Sequence, residues 1–149
     1  MNPGSALLTV GGALSAAAAA LHLAVIVGGP DWYRFLGAGE GMARAAERGS
    51  WTPPLVTIGI AIILLVWAAY AFSGAGLIRR LPLLRTGLIV IGAIYLARGF
   101  VIFAPSMLRR PDLSSGFLFW SSLIVLGLGL VYATGTWMSW PNLSYRNML

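Results

Sequence analysis

Four long apolar stretches leave this chain few ways to fold. Crossing the hydrocarbon core of a bilayer as a helix takes about 20 apolar residues. The stretches from about Ala6 to Val27, Pro54 to Leu77, Leu83 to Ala104 and Ser114 to Trp140 all reach that length. Backbone N–H and C=O groups in lipid must be satisfied within their own segment, so each stretch is expected to be a helix. Four helices joined by short links predict an all-α integral membrane protein, an antiparallel bundle of four transmembrane helices in one domain. Prolines punctuate it. Pro53 and Pro54 fall in the first turn of the second span, where a missing N–H does little harm. Pro82 opens the third span, Pro105 closes it, and Pro141 stops the fourth.

Composition agrees with that reading. Charged residues make up 9% of the chain and hydrophobic ones 58%, whereas soluble domains run at about 25% charged. The opening MNPGSALLTV lacks a basic n-region, and its apolar run outlasts the roughly 7–15 residues of a signal h-region. It is read as the start of the first span. Gly12, Ala16 and Ala20 form a small-xxx-small ridge there, and Gly87 and Gly92 notch the third span, which suits close helix contact or a homodimer face.

Several chemistries are set aside by residue type. Without cysteine there are no disulfides, thiol nucleophiles or cysteine metal sites. His22 is the single histidine, so no metal site or haem is expected within one chain, and no cofactor. P-loop, GxSxG, HExxH and dinucleotide fingerprints are absent from the sequence. The net charge of +6 comes entirely from arginines at span ends and in one span, which is not the footprint of a nucleic-acid partner.

Residues 31–53 form the one long segment unfit for hydrocarbon, and three of the four acids, Asp31, Glu40 and Glu47, lie in it. It reads as a short amphipathic lid between the first two spans. Asp31 would cap a first helical piece carrying Trp32, Phe35 and Leu36, and Gly37, Gly39 and Gly41 would break it. A second piece would set Arg44 within a turn of both Glu40 and Glu47. Such a lid either neutralises its own charges in water or folds back and points Glu40 into the mouth of the bundle.

Arg98 is the only charged residue deep in the last three spans. It falls about four residues past the middle of its span, or roughly 6 Å. An arginine near mid-membrane costs at least about 2.5 kcal/mol, and its side chain leans toward the helix N-terminus, back toward the bilayer centre. A partner is therefore expected. His22, Thr57, Ser121 and Trp120 lie at a similar depth, Tyr95 is one turn before Arg98, and the lid hangs over the same end. The candidate ligand-binding set is His22, Glu40, Arg44, Glu47, Thr57, Tyr95, Arg98, Trp120 and Ser121.

Three functions remain open on these residues. The first is binding or transport of a small molecule, anionic or otherwise, or of a lipid in a one-sided polar pocket. The second is a non-catalytic anchor or assembly subunit of a larger membrane complex. The third is a lipid-modifying enzyme with Glu40 or His22 as base. The arginine-rich, lysine-free composition suggests a bacterial inner membrane. Basic residues at the two ends of the bundle divide almost evenly, Arg79, Arg80, Arg85 and Arg146 against Arg34, Arg44, Arg48, Arg109 and Arg110. The acid-free loop IRRLPLLR tips the termini toward the cytoplasm. Trp32, Tyr33 and Trp51 on one side, and Trp137, Trp140 and Tyr145 on the other, fit two interfacial belts.

Overall fold

Large aliphatic side chains cover the outside of the molecule, and the inside mixes buried leucines such as Leu8 and Leu88 with small or hydroxyl-bearing side chains. Leu14, Ile62, Ile63, Val90 and Ile124 are exposed, whereas Ser15, Thr57, Ser122 and Thr136 are buried. Such a distribution suits a hydrocarbon surround, where an outward leucine costs nothing and a hydroxyl needs an internal partner. The computed structural model describes residues 2–103 and 115–144. Pro105, Arg109, Arg110, Tyr145, Arg146 and the predicted start of the fourth span at Ser114 lie outside those residues.

The described residues are helical, with no strand. In order they form α1 (Pro3–Gly28), α2 (Pro30–Phe35), α3 (Glu40–Glu47), α4 (Thr52–Gly74), α5 (Leu84–Phe100), a 3-10 turn (Val101–Phe103), α6 (Ser115–Met138) and α7 (Trp140–Ser144). Three of them, α1, α4 and α6, are long and apolar enough to cross a membrane, which fits an integral membrane protein. The third predicted span is shorter than its sequence suggested. Its α-helix has 17 residues, about 25 Å at 1.5 Å per residue, before it tightens into the 3-10 turn.

The ends follow from local chemistry, with two departures from expectation. Gly29, with φ of 72°, is the N-cap of α2 rather than Asp31, because Pro30 fits the first helical position. Asp31 instead sits in the first turn. At the other end α6 stops at Met138, and Pro141 lies in the first turn of α7 rather than outside a helix. A proline there lacks only an N–H that would have no partner anyway.

Within the bundle α1 packs between α4 and α6, and α5 packs on α6, with a lighter contact between α4 and α5. Neighbours run antiparallel. Gly99 of α5 lies against the backbone of Leu126, and Gly129 of α6 against the backbone of Leu96. On α1 the buried face is Leu8, Gly11, Gly12, Ser15 and Ala19. Gly12 meets the Phe72 ring, but Ala20 is exposed. The ridge proposed from strict fourfold spacing thus drifts off the contact face, as a 3.6-residue period requires.

A chain of hydroxyls ties all four long helices together at mid-depth. Tyr132 OH donates to the Trp67 carbonyl at 3.2 Å. Ser15 Oγ lies 2.9 Å from Tyr132 OH and 2.9 Å from Tyr95 OH. Each hydroxyl has one proton, so the direction is fixed: Tyr95 donates to Ser15, and Ser15 to Tyr132. The Trp67 ring meets Tyr95 edge-on with centroids 4.8 Å apart. Ser15 and Tyr132 are both fully buried.

Candidate functional site

The charges of the lid neutralise one another. Arg34, at the end of α2, bonds Glu40 through Nε at 3.0 Å, Glu47 through Nη2 at 2.6 Å and Asp31 through Nη1 at 3.3 Å. Arg44 adds a 3.0 Å bond from Nε to Glu40, one turn back along α3. Hydrogen bonds from Arg34, then Arg44, hold the Glu40 carboxyl down to about 2. The same carboxylates, Glu40 first, push Arg34 above the usual arginine range. Arg44 therefore pairs with Glu40 alone, and Glu47 goes to Arg34. Glu40 is half-exposed in this network rather than in the bundle.

The apolar side of the lid docks on the bundle. Tyr33 and Ala43 are buried against Val25 of α1, with Leu36, Met42 and Ala46 around them. Thr57 Oγ1 donates to the Pro53 carbonyl at 2.7 Å and sits 3.2 Å from the Tyr33 hydroxyl. A cavity of about 270 Å³ lies beneath, walled by Ile26, Pro30, Tyr33, Ala46, Trp51 and Pro54.

The other candidates are dispersed rather than gathered into one pocket. His22 Nδ1 is 2.7 Å from the Ala18 carbonyl of its own helix. Tyr95 belongs to the mid-depth hydroxyl chain. Ser121 bonds back to the Leu118 carbonyl at 3.2 Å, and Trp120 is exposed. Arg98 lies in the last turn of α5, where a cation meets the negative end of the helix dipole. Its Nη1 donates to Ser122 Oγ at 3.0 Å. Among the described residues Arg98 makes no ion pair, and its side chain is exposed.

A second polar site, which the sequence reading passed over, lies at the end of the bundle where α1 begins and α6 finishes. A cavity of about 350 Å³ opens there, lined by Asn2, Ser5, Ser73, Arg80, Ser139 and Asn142 among others. Asn2 Oδ1 accepts from the Ser5 amide at 2.7 Å and caps α1. Ser73 Oγ donates to the Arg79 carbonyl at 3.2 Å and accepts from the Leu81 amide at 2.9 Å, which folds the second loop against α4. Two arginines of that loop region hold α7. Arg80 bonds the Leu143 carbonyl. Arg85 bonds the Trp140 carbonyl at 3.1 Å and stacks on the Trp140 ring at 4.4 Å.

Three buried polar atoms have no hydrogen-bond partner among the described residues: Arg85 Nε, Thr136 Oγ1 and Ser139 Oγ. All belong to this end of the bundle, and Ser139 lines the cavity. The arginine-rich loop was one signal in the sequence. Ser139 carried none, since a serine near a helix end is unremarkable until its surroundings are known. No known protein family, curated protein or solved structure matches the chain.

Proposed function

We propose that this chain is a four-span membrane bundle that binds a small molecule or lipid at its terminus-facing end. The carrying observation is the cavity of about 350 Å³ whose wall includes a buried hydroxyl with no partner. Small-ligand sites usually occupy about 300–1,000 Å³ with a few convergent polar groups, and this one falls at the lower bound. The hydroxyl chain supports counting α5 as the fourth span, because Tyr95 is bonded into the same core as α1, α4 and α6. The lid supports binding over catalysis. Glu40, the best base in the sequence, is committed to two arginines.

We place the terminus-facing end in the cytoplasm of a bacterial inner membrane, on the strength of Arg79, Arg80 and Arg85 in an acid-free segment. Native mass spectrometry on protein gently extracted from its own membrane tests the binding reading. A discrete small-molecule or lipid adduct is expected. A bare protein, or one found only with a stoichiometric protein partner, would favour a non-catalytic subunit instead.

A further inference from the structure

We propose that Arg98 and Ser122 anchor the phosphate of an anionic phospholipid on the outer surface of the bundle, toward its lid end. The anchor is separate from the terminus-end cavity and stands whether or not that cavity takes a ligand.

The register of α5 on α6 fixes the depth. Gly99 lies against Leu126 and Gly129 against Leu96, so the backbone of Arg98 sits beside Gly127, near the middle of α6. The same antiparallel register puts Arg85 beside Trp140, where its hydrogen bond and ring stack are found. Arg98 Nη1 nevertheless donates to Ser122 Oγ at 3.0 Å. Ser122 lies on the lid side of Gly127, so the arginine side chain climbs about 7 Å along the helix axis to reach it. That climb runs toward the C-terminal end of α5, whereas helical side chains ordinarily lean the other way. An arginine rooted at mid-membrane behaves like this when its charge seeks the head groups and its stem stays in hydrocarbon.

The level of the head groups is marked on α6, one of the three helices long and apolar enough to cross a membrane. Trp120 is exposed and lies about 3 Å from Ser122 along the axis. An outward indole near the end of a span sits at the membrane–water boundary. Phe100, Phe119 and Leu123 are exposed close to the same level. The guanidinium is therefore an exposed cation on an otherwise apolar face, just inside that boundary.

Its charge has no counterpart among the described residues. Asp31, Glu40 and Glu47 are bonded to Arg34 or Arg44 in the lid, and Asp112 lies outside the described residues. A guanidinium carries five N–H donors in a planar fork. Arg98 gives one bond, to a neutral and fully buried hydroxyl that holds the fork in place. The remaining donors suit the oxygens of a phosphate at the same depth. A lipid of net negative charge is favoured over a zwitterionic one, whose own ammonium opposes the arginine.

The test uses the full chain in neutral-detergent micelles, with lipid adducts counted by native mass spectrometry. Phosphatidylglycerol and phosphatidylcholine of the same acyl chains are offered at equal concentration. We expect phosphatidylglycerol to be retained better, and Arg98→Gln to lower that retention about tenfold, the weight of one hydrogen bond to a charged group. Arg98→Lys should restore most of it, because an ammonium on a long stem reaches the same phosphate. Arg48→Gln, which removes a cation from the lid, should leave it unchanged. An equal fall with Arg48→Gln would mean general charge attraction and overturn the anchor. Equal retention of the two lipids, or retention untouched by Arg98→Gln, overturns it as well. A protein partner lost on Arg98→Gln, with the lipid adduct unaffected, would make the counter-charge a carboxylate of that partner and sink the lipid assignment.

Discussion

The Ser15 hydroxyl lies 2.9 Å from the Tyr132 hydroxyl across the contact between α1 and α6, and both residues are fully buried. Because Tyr132 donates onward to Trp67, Ser15 must donate to Tyr132. Substituting Tyr132→Phe removes that acceptor and strands the Ser15 proton. Interhelical hydrogen bonds in membranes average only about 0.6 kcal/mol, but a stranded buried donor raises the loss to roughly 1–2 kcal/mol. Ser15→Ala with Tyr132→Phe should then cost less than the sum of the two single changes. Thermal unfolding in detergent reads this, and strict additivity would mean the two hydroxyls are not coupled.

The lid network gives a pH dependence with a definite sign. Glu40 is held down to about 2 from an ordinary 4.5. A depressed carboxyl stabilises the closed lid fully above its ordinary value, and loses that contribution as pH falls from there through about 2. The lid should stay closed at neutral and mildly acidic pH and open only in strong acid. Tryptophan fluorescence from Trp32 and Trp51 reports on it. A transition near pH 6 would rule out this network as the latch.

Arg98 allows a test by magnitude. In the last helical turn, exposed and bonded to Ser122, it should tolerate Arg98→Leu with a stability change under about 1 kcal/mol. Breaking a buried ion pair would cost about 3–5 kcal/mol. Equilibrium unfolding in mixed micelles separates these outcomes.

Two glycines should respond in opposite directions. A Cβ at Gly99 would strike the backbone of Leu126, which has no rotamer to give. Gly99→Ala is expected to cost roughly 1–3 kcal/mol by overpacking. Gly59 on α4 has open space around it, and Gly59→Ala should stabilise the helix by up to about 1 kcal/mol. Melting temperatures of the two variants should fall on either side of the parent.

The absence of native cysteine makes topology measurable. Single cysteines at Ala38 in the lid and Leu77 in the second loop should react with an impermeant maleimide from opposite sides of the membrane. Labelling of both from one side would remove α4 from the set of spans.

Much of the fold could be read from residue order. The apolar runs marked α1, α4 and α6 to within a few residues, because length and hydropathy are local properties and lipid demands helices of both. The lid was also legible, since acids, arginines and Gly37 and Gly39 cannot continue a span. α5 was harder. Its apolar run continues to Ala104, but its α-helix ends at Phe100, so Arg98 falls in the last turn of a helix that ends beside the middle of α6.

Which side chains meet was decided by tertiary structure alone. Depth along a helix follows from counting, but rotation about its axis does not. Counting along the chain gave His22, Arg98, Thr57 and Ser121 a similar depth, yet they face separate partners. Ser15, Tyr95 and Tyr132 are separated by tens of residues and meet at one point. Ser139 is buried against Gly4 of α1 with no hydrogen-bond partner, which no local pattern announces. The sequence by itself determined a helical chain for an apolar surround with one polar lid. Helix packing determined which few polar groups were satisfied inside and which were left without a hydrogen-bond partner.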